Sequence, residues 1–303
     1  MQNKIMVKKV ALLIIYNHRY DKNIPLLEKI YGGRFTHLYH IIPYYDGTKD
    51  NVLTVYDSSF YFESYIAQAY QQIKDKGFSH FFFIADDMIL NPEINENSLF
   101  EFTGIPEDYC WINDFRDYKS HPYSVPVCTP IYKKGIEVYK QLPSVKDVCS
   151  SFDAKGLCYF PSRVYAVKDL LYNIVRKWAS FCYKDLIYLF HYRKKSFYPG
   201  VWGYSDIVLV PSEFIEKFVL YCGAFAGLNI FVEHAIPLAL LMSSNKIMVQ
   251  NDIMLKTVTQ LYGLGDEGQK EFEDKYQFSL EKLINEFPKD WFFVHPIKLS
   301  KWK

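Results

Sequence analysis

Residues 79–87 read SHFFFIADD, an apolar run that ends in two adjacent acidic residues. A short continuous apolar run of this kind predicts a strand of a parallel sheet that is covered on both faces. Asp86 and Asp87 then lie at the carboxyl end of that strand. Because ligands of open α/β sheets bind beyond the carboxyl ends of the strands, these two residues are the first candidates for a functional site.

The sequence before this strand alternates strand and helix signals with good regularity. Asn and Ser are favoured helix caps, proline suits a first helical turn, and glycine ends helices. The predicted elements are strands at Val10–Tyr16, His37–Pro43 and Val52–Tyr56, a short helix between Asn23 and Gly32-Gly33 with Pro25 in its first turn, and a helix capped by Asp57, Ser58 or Ser59 that runs to about Lys76 and stops at Gly77. This alternation indicates an α/β fold with an open, mostly parallel sheet flanked by helices.

The order of elements is harder to read after residue 92. The predicted elements are strands at Tyr109–Asn113, Ile207–Val210 and residues 291–296 (WFFVHP), a broken helical stretch between Val164 and Tyr192, and helices at Phe214–Tyr221, Phe231–Met242 and about Glu267–Glu286. Pro237 suits the helix that contains it only in the first turn or as a kink. We expect residues 1–130 to form an α/β half, and residues 131–303 a helix-rich region that is fused with it into one compact domain.

Composition excludes several classes of protein. The 303 residues carry 35 basic and 34 acidic side chains, a net charge of +1, whereas nucleic-acid binders usually have a strong basic excess. The six cysteines form no CxxC pair, which argues against a zinc ribbon. No stretch approaches the roughly 18 to 20 apolar residues of a membrane span. The basic, apolar start fits a buried first strand better than a signal peptide, so we expect a cytoplasmic protein.

The Asp86-Asp87 pair suits a divalent metal ion. Adjacent carboxylates repel each other, and a cation or hydrogen bonds must offset that cost. Carboxylate and phosphate oxygens together complete the octahedral shell of Mg²⁺ or Mn²⁺. The alternative is a turn in which one of the two aspartates caps the next element.

These features resemble the GT-A glycosyltransferases. The resemblance covers about the first 90 residues: a first strand near residue 10, a βαβ-type half and an acidic pair that ends a strand. The "DxD" motif of that family often takes the form x-Asp-Asp, which Ala85-Asp86-Asp87 matches. The resemblance implies that Asp87 binds the metal directly and that Asp86 contacts the nucleotide ribose, or the metal through water. It also implies that residues 1–130 form the nucleotide-sugar-binding half and residues 131–303 the acceptor-side region with the C-terminal helices.

Further roles follow from the same resemblance. A third metal ligand, often a histidine, comes from the later part of the chain, and His295 is the best match, with His121 and His234 behind it. Inverting members use an acidic base at a helix start, a place that Glu233 occupies. Asp206, in the sequence WGYSD at 202–206, would hydrogen-bond sugar hydroxyls. The alternative for His295 is a structural histidine that caps the end of a strand. The alternative for Glu233 is an acidic residue in the first turn of a helix, and that for Asp206 is a tight turn.

The loop after the first strand is where GT-A proteins hold the nucleotide. Asn17, His18 and Arg19 would contact base and ribose, or Arg19 would pair with the diphosphate, and Asp57 would meet the base. Polar loop residues without a ligand are the alternative. A basic and aromatic tract, Arg176-Lys177-Trp178 and Tyr192–Lys195, suggests a peripheral contact with the inner face of a membrane or a lipid-linked acceptor, or else a solvated helix face.

The function expected from the sequence is therefore metal-dependent sugar transfer. The donor would be a UDP- or GDP-linked sugar and the acceptor a glycan or lipid-linked glycan, in O-antigen, capsule or other polysaccharide synthesis. A hexosyl- or galactofuranosyltransferase would suit, with inversion favoured and retention still open. Two alternatives are a nucleotidyltransferase or similar metal-dependent enzyme, and a non-catalytic carbohydrate-binding protein.

Overall fold

The computed structural model describes residues 9–117, 142–158, 163–179, 198–258 and 265–302, together with five positions between 180 and 197. The strands are β1 (Val10–Ile15), β2 (His37–Pro43), β3 (Val52–Val55), β4 (His80–Ala85), β5 (Ile89–Leu90), β6 (Cys110–Ile112), β7 (Ile207–Pro211), β8 (Ile247–Met248), β9 (Lys256–Val258) and β10 (Trp291–Val294). The α-helices are α1 (Ile24–Tyr31), α2 (Glu63–Ile73), α3 (Leu99–Thr103), α4 (Val145–Ala154), α5 (Arg163–Val175), α6 (Ser212–Gly227), α7 (Val232–Ser243), α8 (Gly265–Tyr276) and α9 (Leu280–Asn285).

The main sheet has seven strands in the order β3-β2-β1-β4-β7-β6-β8. Every neighbouring pair is parallel except β4–β7 and β6–β7, so β7 alone runs against the other six. The chain builds β1, β2 and β3 outward in one direction and then returns to place β4 on the other side of β1. The gap between the carboxyl ends of β1 and β4 is therefore a topological switch point, where α/β sheets bind ligands.

Side chains alternate between two apolar layers, one on each face of this sheet. On β1, for example, Leu13 and Ile15 face α2, α6 and α7, whereas Leu12 and Ile14 face α1, β10 and residues 297–302. All six residues of β1 and all six of β4 are buried, because helices or loops cover both faces. Such continuous burial explains the unbroken apolar runs of these strands.

A second, three-stranded sheet has the order β5-β10-β9. It joins the segment just after Asp87 to the chain two hundred residues later, since Val294 on β10 pairs with Ile89 on β5. The amide of Ile297 also donates to the carbonyl of Asp87 at 2.7 Å. These backbone pairings bring His295, the residue after β10, next to the acidic pair.

The α/β class, the mostly parallel sheet and its flanking helices are confirmed. One predicted helix was wrong: residues 267–286 form α8 and α9, separated by Gln277 and Phe278, which both have positive φ values of 54° and 52°. Most of the predicted helical stretch beyond residue 179 lies outside the described residues. No helix in the described parts of the chain is long and apolar enough to cross a bilayer. The division at residue 130 stays a prediction.

Candidate functional site

Polar residues from four strands meet at one edge of the main sheet. Asn17 follows β1, Asp86 and Asp87 follow β4, and Asp114 follows β6. Asp206 precedes β7, but because β7 is antiparallel its start lies at the same edge. The Ala85 amide accordingly donates to the Asp206 carbonyl at 2.8 Å.

Asp86 is buried and turned toward the start of α1. Its Oδ2 accepts a hydrogen bond of 3.1 Å from Nδ2 of Asn23, and 4% of the residue is exposed. Burial, followed by the neighbouring Asp87 charge, raises the pKa of Asp86 to about 7. Asn23 does precede α1 as predicted, but its side chain makes no capping bond. It holds Asp86 instead.

Asp87 faces His295. Oδ1 of Asp87 lies 2.9 Å from Nε2 of His295, yet this buried oxygen has no hydrogen-bond partner among the described residues. The other ring nitrogen, Nδ1, lies 2.6 Å from the hydroxyl of Tyr204. The Tyr204 contact fixes the ring of His295 with Nε2 toward Oδ1 of Asp87.

This arrangement fits a divalent ion. Two neighbouring ligands of an octahedral ion, each about 2.1 Å from the metal, lie about 3 Å apart, close to the Nε2–Oδ1 separation. Metal-bound histidines also commonly place their second ring nitrogen against a polar partner, as His295 does with Tyr204. The described residues contain no group of three or more His, Cys, Asp or Glu that could hold an ion. Substrate phosphate oxygens and water would have to supply the other ligands, which is usual for Mg²⁺.

Glu233 and Asp206 add two further carboxyl groups. Glu233 lies in the first turn of α7, as the sequence predicts, and is partly buried. Burial, followed by the Asp206 charge, raises its pKa to about 7, with Arg116 opposing the shift. Burial also raises the pKa of Asp206, and the nearby Asp87 charge adds to this shift, whereas His295 opposes it. The cluster therefore favours proton uptake, and a cation would relieve its mutual repulsion.

Backbone contacts hold the turn at 202–206 against α7. Pro237 has no amide hydrogen to donate to the carbonyl of Glu233, four residues earlier in the helix. That carbonyl accepts from the amide of Gly203 instead, at 2.9 Å. A side chain at Gly203 would overlap the carbonyl of Asp114, so the turn needs glycine there.

Asp114 and Arg116 belong to the site although the sequence did not single them out. Oδ1 of Asp114 accepts from the amide of Tyr204 at 2.7 Å, and Oδ2 accepts from Nε of Arg116 at 2.6 Å. The Arg116 guanidinium lies 4.4 Å from the centre of the Trp202 ring. An isolated acid and base two residues apart give no sequence signal, because their partners come from a turn about ninety residues later.

The residues predicted to hold the nucleotide reach the same edge. Asn17 is exposed. Arg19 is exposed too and pairs with Asp21, at 3.1 Å, and with Asp46. Asp57 accepts from Ser64 Oγ, at 2.6 Å, and from the amide of Ser58, so it braces the start of α2. Their roles toward a nucleotide stay predictions.

His234 does not belong to the site. It is buried in α7, its Nδ1 lies 2.9 Å from the carbonyl of Val201, and burial lowers its pKa to about 4. A histidine in this setting is a neutral part of the core. His121 and residues 192–195 lie outside the described residues.

Comparison of the chain with models of protein families, with curated proteins and with solved structures found no match.

Proposed function

We propose that this chain is a metal-dependent glycosyltransferase of the GT-A type. It would move a sugar from a nucleotide-diphosphate donor to a hydroxyl group of a glycan or lipid-linked glycan. The observation that carries the proposal is the convergence of Asp87 Oδ1 and His295 Nε2, 2.9 Å apart, at the switch point of the sheet. The mixed sheet and the acidic pair at the end of β4 support it.

Each group has a chemical role in this proposal. Asp87 and His295 would hold Mn²⁺ or Mg²⁺, and the bound ion would supply positive charge for the departing diphosphate. Glu233 takes the proton of the acceptor hydroxyl as its oxygen bonds to the anomeric carbon. The bond from that carbon to the diphosphate breaks on the opposite side, which inverts the centre. Asp206 accepts hydrogen bonds from donor hydroxyls.

The state of Glu233 suits a general base. A base is most effective when its pKa lies near the working pH, and burial raises the pKa of Glu233 to about 7. Phosphate oxygens bring negative charge to this end of the sheet. The metal and Arg116 would balance that charge beside the carboxyl groups.

Exposed aromatic rings along the same edge support an organic ligand. Tyr44 follows β2 and Tyr56 follows β3, and they are 58% and 65% exposed. Their rings meet edge to face with centroids 5.7 Å apart. Tyrosines with an apolar face and a polar hydroxyl suit contacts with a base or a sugar. We place the nucleotide of the donor near them, with UDP- or GDP-sugars as candidates.

Thermal melting with a panel of nucleotide-sugars, in Mn²⁺ or EDTA, tests the proposal. A ligand at a hundredfold excess over its Kd stabilises the native state by about 2.7 kcal/mol. We expect a metal-dependent rise in Tm with one donor, lost in Asp87→Asn and kept in Asp108→Asn. Asp108 is an exposed partner of Lys246 and serves as the matched control. A Tm unchanged by every donor, or a shift that survives Asp87→Asn, would reject the proposal.

A further inference from the structure

Helix α5 turns apolar side chains away from the protein. Val167, Leu171, Ile174 and Val175 are 40%, 58%, 54% and 80% exposed. Their spacing of three, four and eight residues places them on one face of the helix. Asn173, on the opposite side, is 3% exposed. Four apolar side chains on one face of α5 are therefore exposed, whereas the apolar face of a helix usually packs against the core.

The end of α5 is fixed by backbone hydrogen bonds. The amide of Trp178 donates to the carbonyl of Asn173 and the amide of Lys177 donates to that of Ile174, both at 3.0 Å. Lys177 has a φ of 57°. This is the Schellman geometry, in which a left-handed residue ends the helix and the next residue folds back on it. Trp178 is thereby held against the end of the helix.

Aromatic and cationic groups are interleaved at this end of the helix. Trp178 is 45% exposed and meets the ring of Tyr172 edge to face, with centroids 6.2 Å apart. The guanidinium of Arg176 lies 5.3 Å from the Tyr172 ring centre and 6.0 Å from that of Trp178. Tryptophan and tyrosine beside basic side chains are typical of segments that lie at a membrane–water interface.

The charge of this segment favours an anionic partner. Residues 163–179 contain four Lys or Arg and one Asp, a net charge of +3, whereas the whole chain has +1 and the remainder therefore −2. Lys168, Arg176 and Lys177 are exposed along α5 and at its end. Two copies of the chain that met through this face in a symmetric dimer would bring like charges together.

We propose that α5 and Trp178 dock on an anionic lipid bilayer. The apolar face of Val167, Leu171, Ile174 and Val175 would enter the boundary between headgroups and acyl chains, with the basic side chains at lipid phosphates. Apolar burial and attraction to anionic headgroups both contribute to such binding. The inference does not depend on the proposed catalytic activity.

Flotation of the full chain with lipid vesicles tests the proposal. We expect binding to phosphatidylglycerol-containing vesicles and much weaker binding to phosphatidylcholine alone. Raising the salt from 0.1 M to 1 M shortens the screening length from about 10 Å to about 3 Å and should weaken binding. The variant Leu171→Asp/Val175→Asp should lower the vesicle partition coefficient by about tenfold or more.

Two variants control for unfolding and for nonspecific effects. Leu220→Asp changes a leucine of α6 that is 66% exposed and should leave binding unchanged. Arg176→Gln/Lys177→Gly removes two charges, while glycine relieves the left-handed backbone at residue 177. It should fold normally and bind anionic vesicles more weakly than the wild type. Trp178 is the most exposed of the five tryptophans, so its emission should shift to the blue on vesicles in the wild type.

Three results would overturn the proposal. One is a wild type that does not float with anionic vesicles. Another is equal loss of binding in Leu220→Asp and Leu171→Asp/Val175→Asp. The third is a wild type that sediments as a dimer without binding vesicles and becomes a monomer in Leu171→Asp/Val175→Asp, which would assign the face to a second copy of the chain.

Discussion

Glu233 is the residue on which the proposed chemistry depends most directly. Only its carboxylate form accepts a proton, and its pKa is about 7. We therefore expect kcat/KM for sugar transfer to rise with pH up to about 7 and then level off. Glu233→Gln removes the acceptor, and loss of a general base typically costs about 10²- to 10⁴-fold. Initial rates measured from pH 5.5 to 8.5 on both proteins test this.

Donor binding separates a lost base from a damaged site. Glu233→Gln should keep the metal-dependent rise in Tm with the donor, because the base acts on the acceptor. The rising limb of the pH profile should vanish in the residual activity of the variant. Near-wild-type activity in Glu233→Gln would refute the role of this residue.

The positions of several of these side chains could be predicted from the sequence, but the residues that they contact could not. The positions of Asp87 after a strand and Glu233 at a helix start follow from local pattern. Tyr204 was considered only as part of the sequence WGYSD at 202–206, yet its hydroxyl lies 2.6 Å from Nδ1 of His295. Asn23 was expected to cap a helix and instead binds Asp86. Contacts across 63 or 91 residues depend on how the sheet folds, which no local pattern reveals.

Among the helices, α7 contains a proline whose position has a consequence for the site. Pro237 frees the Glu233 carbonyl, which accepts from Gly203. Pro237→Ala restores an amide that competes for that carbonyl and should loosen the turn at 202–206. We expect kcat/KM to fall by about tenfold, since small misplacements of reacting groups are costly. The free energy of unfolding should not fall, because alanine suits a helix interior.

Urea denaturation and steady-state rates, measured on the same preparations, test the expected fall in kcat/KM and the unreduced free energy of unfolding of Pro237→Ala. Gly203→Ala should also disturb the turn at 202–206, because the added Cβ would overlap the Asp114 carbonyl. It should lower both activity and stability. Wild-type kcat/KM in Pro237→Ala would show that the Gly203–Glu233 contact does not position the site.

The accuracy with which strands and helices could be located from the sequence also differed from one element to another. Strands such as β1 and β4 were located within a residue or so, because burial on both faces gives an unbroken apolar run. The break between α8 and α9 was missed because Gln277 and Phe278 adopt left-handed φ values without a glycine. The exposure of the apolar face of α5 could not be predicted from periodicity, because apolar residues at helical spacing ordinarily indicate a face that packs against the core.

The described parts of the molecule place one apolar layer on each face of the main sheet, and several carboxyl groups are buried there or at its edge. Glu63, at the start of α2, is fully buried, and neither of its carboxylate oxygens has a hydrogen-bond partner among the described residues. Burial raises its pKa to about 9. Asp86 and Glu233 have pKa values raised to about 7. The native state therefore holds protons that the unfolded chain releases at lower pH.

This difference in proton binding predicts how the stability of the whole protein depends on pH. A carboxyl group with a raised native pKa contributes most below its unfolded pKa, and that contribution is lost as pH rises through the native value. The buried His40 and His234, with pKa values lowered to about 4, act in the opposite direction below about pH 6.5. We expect the free energy of unfolding to decline between pH 6.5 and 9, by up to about 1.4 kcal/mol per pH unit for each carboxyl. Asp86 and Glu233 complete most of their ionisation by about pH 8, so Glu63 is the largest contributor of these three carboxyl groups above that pH. Urea denaturation at pH 6.5, 8 and 9 should therefore show a much smaller decline in the free energy of unfolding above pH 8 in Glu63→Gln than in the wild type. Parallel curves of unfolding free energy against pH for the two proteins would mean that Glu63 is already ionised in the native protein.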